Sequence, residues 1–422
     1  MVRTPVRFGT LDNGLMFYAH PGGSQNLSAI GVRAGSLETP GGKVGLPHLI
    51  EHLLARNSAT YTVEQVNLMI MEFCGGPGLH NIRIDRCSTL YGHDMFAWKH
   101  QMTRMFGVFA NLLESVLVDA DSVASEKATV RQEYFLYGKD VMEQDIEDML
   151  AALVFKNHPA GLRIDAEIPD LKSITPADIE QFIRRYYRAS NMFVTMFGPS
   201  YKEVSRLVRK TFGHWPALPE PRKRSAPQNS FSPLRQIIQQ EERRRGIHQT
   251  HVAVGFRSEP HGSPDTAALD ILCRIWRHKI TNRLREDNRD FSSGIYRAYT
   301  YSEKTRLHGL LEASFATTSP KYADYGYEVV LEEAERLGGR LTEQDLFRAA
   351  RNSALNQFQI SWTNVPLDVC EMVVEATCNG DRERSGLHSY SESLRAVRRE
   401  DVRRVAQKYF NHPHALAMIR PA

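Results

Sequence analysis

Two strand-like apolar runs occupy residues 6–20, and the Asp12-Asn13-Gly14 step between them is a hairpin-turn signal. Residues 27–34 read as a further strand, and Pro40-Gly-Gly-Lys-Val-Gly45 forms a loop that leads into a helix through His48. Helical spacing then recurs over residues 62–73, with Thr62 placed to cap and Glu64 in the first turn. After Gly75-Gly-Pro-Gly78, residues 79–92 predict a strand or strand pair, 95–117 a helix, and 120–137 a second long helix.

The pattern is repeated within the chain. Residues 173–187, Ser-Ile-Thr-Pro-Ala-Asp-Ile-Glu-Gln-Phe-Ile-Arg-Arg-Tyr-Tyr, line up with 396–410, Ala-Val-Arg-Arg-Glu-Asp-Val-Arg-Arg-Val-Ala-Gln-Lys-Tyr-Phe. Each copy is an amphipathic helix running into an apolar strand, 192–197 and 415–419. Two copies so far apart imply two similar α+β domains, each a mixed sheet packed with helices, rather than a solenoid of short repeats. Residues 216–236, rich in proline and charge, read as the linker between domains 1–215 and 237–422.

Composition narrows the function classes. A chain of 422 residues suits two to three domains, and 42% hydrophobic with 24% charged residues is an ordinary globular balance. The net charge of +4 is small and the charges are mixed along the chain, so no nucleic-acid partner is implied. Five dispersed cysteines without a Cys-x-x-Cys pair predict reduced thiols. The amino terminus has no apolar run after its charges, and residues 105–118 are too short and polar to span a bilayer. A cytoplasmic protein with no membrane partner is expected.

Against that background His48-Leu-Ile-Glu-His52 stands out. On a helix the two histidines share a face one turn apart and can reach a single ion. Catalytic zinc takes three protein ligands and leaves a position for water, from which Glu51 could accept a proton. Glu126 and Glu133, two turns apart on the 120–137 helix, are candidates for the third ligand. One could bind the metal while the other braces a ligand histidine. Their spacing does not choose between them, and a solvated helix face is the competing explanation.

The chain resembles the pitrilysin family of inverted-motif zinc peptidases, in particular its two-domain branch of processing peptidases. The resemblance is carried by Thr10-Leu-Asp-Asn-Gly-Leu15 and by Gly45-Leu-Pro-His-Leu-Ile-Glu-His-Leu-Leu54, which fits the Gly-x-x-His-x-x-Glu-His signature. It implies that His48 and His52 bind Zn2+, that Glu51 is the general base, that Glu133 is the third ligand and that Glu126 supports it. The gap from His52 to Glu133 exceeds the family's usual one, which keeps Glu126 as the alternative ligand. Asn81, with Thr89 and Tyr91, matches a substrate-binding edge strand, although a turn asparagine also fits there. Arg289 and Tyr296, after Arg283-Leu284, match an arginine and tyrosine that hold the substrate backbone, while Arg285 offers a competing register. In the second copy the repeat offset sets Ile271, Arg274 and Ile275 at the metal-motif positions, so that copy is expected to lack the metal.

The expectation is therefore a zinc endopeptidase subunit that cleaves peptides or unfolded precursor segments. The resemblance implies a chamber closed by a second chain, either a homodimer or a heterodimer with a homologous zinc-free subunit. A non-proteolytic scaffold subunit and a dedicated maturase of one small precursor peptide are the alternatives.

Overall fold

The computed structural model describes residues 6–56, 58–74, 82–136, 142–164, 168–223, 232–286, 298–364, 366–379 and 385–422. In the first half of the chain the elements are β1 (Arg7–Thr10), β2 (Met16–Val32), α1 (Leu46–Arg56), α2 (Val63–Cys74), β3 (Arg83–Ile84), β4 (Thr89–Phe96), α3 (Lys99–Glu114), α4 (Ala120–Leu136), α5 (Met142–Val154), α6 (Ile168–Ser173), α7 (Pro176–Tyr186), β5 (Met192–Gly198) and α8 (Tyr201–Phe212). There follow β6 (Ile238–Arg244), β7 (Thr250–Ser258), α9 (Thr266–Glu286), β8 (Ala298–Lys304), β9 (Gly309–Thr317), α10 (Pro320–Gly339), α11 (Gln344–Asn364), α12 (Pro366–Cys378), α13 (Ser385–Ala396), α14 (Arg399–Phe410) and β10 (Ala415–Pro421).

Local chemistry sets several of these boundaries. Gly14 adopts φ +88°, and the Gly14 amide donates to the Leu11 carbonyl at 2.9 Å, closing the turn that pairs β1 with β2. Thr62 and Gln65 cap α2 reciprocally, each side chain accepting from the other's backbone amide at 3.3 and 2.9 Å. The helix expected from residue 95 begins only at Lys99. Met95 and Phe96 extend β4 instead, pairing with Leu27 and Asn26.

The first unit gathers residues 1–135, 163–224 and 360–385. Its sheet runs β1-β2-β4-β3, and β5 is slotted against both arms of the long, bent β2. Met16 to Pro21 align with Phe193 to Gly198 in the same order, whereas Leu27 to Val32 run opposite to the same strand. Being flanked on both sides, β5 reads Met-Phe-Val-Thr-Met-Phe, apolar but for Thr195, with its first six residues buried. Its alternate residues Met192, Val194 and Met196 join the core with α1, α3 and α8. On the other side of the sheet the Thr377 hydroxyl of α12 donates to the Tyr18 hydroxyl at 2.8 Å.

The second unit, residues 136–162, 225–359 and 386–422, has a sheet in the order β6-β10-β7-β9-β8. Here β10 pairs parallel with β6 and antiparallel with β7, which repeats the placing of β5 between the arms of β2. Val252, Val254 and Phe256 of β7 join the core with α9, α10 and α14. Gly255 turns to the opposite face, against Leu150 of α5.

The internal repeat extends to the helices. Asp178 and Asp401 hold equivalent places at the starts of α7 and α14, accepting from the amides of Thr175 and Arg398 at 2.8 and 2.9 Å. They are offset by 401 − 178 = 223 residues, whereas the starts of α1 and α9 are offset by 266 − 46 = 220. The shorter offset corrects the expected register: Ala268, Ile271 and Leu272, all buried and apolar, occupy the places of His48, Glu51 and His52. The second copy carries no metal motif. The equivalent helices α5 and α12, each of thirteen residues, are exchanged between the halves. Each unit is completed by the helix from the other half, so neither is a continuous stretch like 1–215 or 237–422.

Candidate metal centre

The site is built on two helices of the first unit. On α1, Leu46, Leu49, Ile50, Leu53 and Leu54 are buried in the core, which leaves His48, Glu51 and His52 on the remaining face. On α4, Val123 and Val130 enter the same core. Glu126 and Glu133 each stand three residues after one of these valines, so the apolar anchors turn both carboxylates inward. Glu126 is buried, and the Glu133 side chain keeps 39% of its exposure.

The donor atoms converge. His48 Nε2 and His52 Nε2 are 3.2 Å apart. Glu133 Oε2 lies 3.0 Å from His52 Nε2 and 3.6 Å from His48 Nε2. Ligand atoms about 2.1 Å from a tetrahedral zinc ion stand about 3.4 Å apart, so this triangle has the dimensions of three zinc ligands. Among the described residues it is the one group of three His, Cys, Asp or Glu side chains with donor atoms drawn together in this way.

Glu126 meets His52 from the other side, with Oε2 3.6 Å from Nδ1. The Glu51 carboxylate is 3.6 Å from His48 Nε2, with only 12% of its side chain exposed. Burial lowers the pKa of His52, but the carboxylates of Glu126, Glu133 and Glu51 outweigh it and carry the imidazole up to about 10. Three carboxylates crowded around two imidazoles therefore favour positive charge, which a bound divalent ion would supply.

Two buried phenols, Tyr91 of β4 and Tyr187, have their hydroxyls 2.7 Å apart. Burial raises both pKa values, and the negative charge of Glu51 adds to the effect. Neither Tyr187 nor Arg56, which pairs with Glu126 at 3.2 Å, stands out from motif spacing. Arg56 had a signal nevertheless: it follows His52 by four residues, on the same face of α1.

The expected substrate residues Asn81, Arg289 and Tyr296 lie outside the described residues. Of their surroundings, β3 is at the edge of its sheet and pairs with β4 through Arg83 and Ile84. Thr89 donates from its hydroxyl to the Ala34 carbonyl at 2.9 Å, and Arg283 pairs with Glu332 at 2.6 Å.

Residues 18–166 match the family described as Insulinase (Peptidase family M16), and residues 173–353 match the Peptidase M16 inactive domain. The chain belongs to the M16, or pitrilysin, family of zinc metallopeptidases. The metal motif lies within the first match, and its apolar counterparts Ala268, Ile271 and Leu272 lie within the second. The probable mitochondrial-processing peptidase subunit beta of Schizosaccharomyces pombe is 28% identical over 78% of this chain and 69% of its own length. YmxG, an uncharacterized zinc protease of Bacillus subtilis, is 20% identical over 98% of each chain. A protease from Helicobacter pylori has the same fold, with a TM-score of 0.87 at 18% identity over 99% of this chain and 100% of the other.

Proposed function

We propose that this chain is the zinc-bearing subunit of an endopeptidase that cleaves peptides or unfolded precursor segments. The observation that carries the reading is the convergence of His48 Nε2, His52 Nε2 and a Glu133 oxygen, with the Glu51 carboxylate beside them. His48, His52 and Glu133 would hold the ion, and Glu126 would orient His52 from its Nδ1 side. Bound there, zinc would supply a Lewis acid and make a water molecule acidic near neutral pH. Glu51 would accept a proton from that water on its carboxylate and return it to the departing amine. Its position beside the ligands and its low exposure suit it to hold that proton away from bulk water.

The substrate would bind as an added strand along the edge at β3, with Asn81 holding its backbone. Arg289 and Tyr296 would clamp the chain further along, either in a homodimer or with a zinc-free homologue providing the clamp. The names of the relatives support the zinc and peptidase parts of this reading, and the subunit name of the Schizosaccharomyces pombe relative supports a partner.

The test is hydrolysis of an internally quenched peptide library, with any co-purifying partner retained, before and after metal chelation. Cleavage that stops on chelation and returns with stoichiometric zinc supports the proposal. Cleavage indifferent to chelation removes it.

A further inference from the structure

The third side chain along the ligand face of α1 extends the site beyond its metal-binding atoms. Arg56 Nε is 3.2 Å from Glu126 Oε1, while Glu126 Oε2 is 3.6 Å from His52 Nδ1, and His52 Nε2 is 3.0 Å from Glu133 Oε2. These contacts form a line from the exposed end of α1, through the buried carboxylate of α4, to the donor triangle. We propose that Arg56 is a positioning residue that acts through Glu126 to aim His52 at the metal.

The argument is geometric. A carboxylate on a helix can rotate about its own side-chain bonds, and Glu126 has two oxygens with two neighbours to satisfy. With one oxygen occupied by the guanidinium, the other is held toward His52 Nδ1. A carboxylate facing Nδ1 at 3.6 Å favours the tautomer that carries its hydrogen there, and such a neutral imidazole presents the lone pair of Nε2, the nitrogen on the His48 and Glu133 side. Arginine suits the task because its planar fork fixes direction as well as charge, whereas lysine would offer a mobile point charge. The unequal exposure of the pair agrees with this role: Glu126 keeps 6% of its side-chain exposure and Arg56 38%. In this role Arg56 need not touch substrate or metal.

The inference rests on the proposed function, and its test separates the two. Zinc affinity is measured by competition with a chromophoric chelator for wild type, Arg56→Gln, Arg56→Lys, Glu126→Gln and the Arg56→Gln/Glu126→Gln double variant. Apo-protein thermal unfolding is followed in parallel. Loss of a partner that orients a ligand weakens metal binding by about 10- to 100-fold, and Arg56→Gln is expected in that range with little change in unfolding temperature. Arg56→Lys should recover part of the loss. Once Glu126 is glutamine, removing Arg56 should cost less than about two-fold further, because the two act in series. Wild-type affinity in Arg56→Gln, or an undiminished loss in the Glu126→Gln background, would overturn the inference alone. A wild-type protein that binds no zinc would overturn the proposed function with it.

Discussion

His52 and Glu133 face each other across α1 and α4 with Nε2 and Oε2 3.0 Å apart, on the side of the imidazole where His48 also presents its Nε2. Glu126, one heptad earlier on α4, reaches the opposite nitrogen of the same ring. The two carboxylates thereby meet different nitrogens of one histidine. Replacing Glu133 by glutamine removes a charged donor from the triangle and should lower zinc affinity by more than about 100-fold. Glu126→Gln should cost about 10- to 100-fold. Equilibrium competition for zinc measures both, and the reverse order would transfer the ligand role to Glu126.

A second prediction concerns stability in the other unit. Glu312 of β9 is buried opposite Tyr301 of β8. Burial and the charge of Glu147 on α5 push its pKa from 4.5 to about 8, with the Tyr301 hydroxyl pulling the other way. The folded chain keeps this proton between those values while the unfolded chain releases it. The corresponding stability is therefore full below about pH 4.5 and is lost as pH rises through about 8. Thermal unfolding across about pH 5 to 9 should show the second unit weakening toward alkaline pH, and Glu312→Gln should flatten that slope. A variant with the wild-type slope would contradict the assignment.

Much of this geometry was legible in residue spacing, and its limits are physical. The four-residue step from His48 to His52 and the seven-residue step from Glu126 to Glu133 are helix periods, so a single helix is enough to place each pair on one face. Which carboxylate meets which nitrogen depends on how α1 and α4 cross, and that is decided by the packing of Leu49, Leu53, Val123 and Val130 in a shared core. The slotting of β5 between the arms of β2 was hidden for a similar reason, since strand pairing joins residues as far apart as Met16 and Phe193. The shared repeat was visible at Asp178 and Asp401, but loops of unequal length shift the register by three residues at the α9 helix. Motif matching passed over Arg56 because an arginine at a helix end is common, and only the contact with Glu126 distinguishes it.

The assembly makes a further prediction. If a peptide adds along the β3 edge of the sheet, as proposed, a lone chain would give it backbone pairing on one side but little exclusion of water. Specific activity should therefore rise with protein concentration, or on adding a zinc-free homologue, in step with dimer formation followed by sedimentation. Full specific activity in a monomeric species would remove the need for a second chain.

The assignment of Glu51 as proton acceptor beside a metal held by its neighbours is the central claim. Its most direct test is Glu51→Gln, assayed for zinc content and peptide hydrolysis on the same preparation with its partner present. An amide cannot accept the proton, and loss of a general base costs about 10²- to 10⁴-fold in rate. The expected result is about one zinc per chain, an unchanged unfolding temperature and a loss of turnover in that range. Wild-type turnover in the zinc-loaded variant would contradict the mechanism.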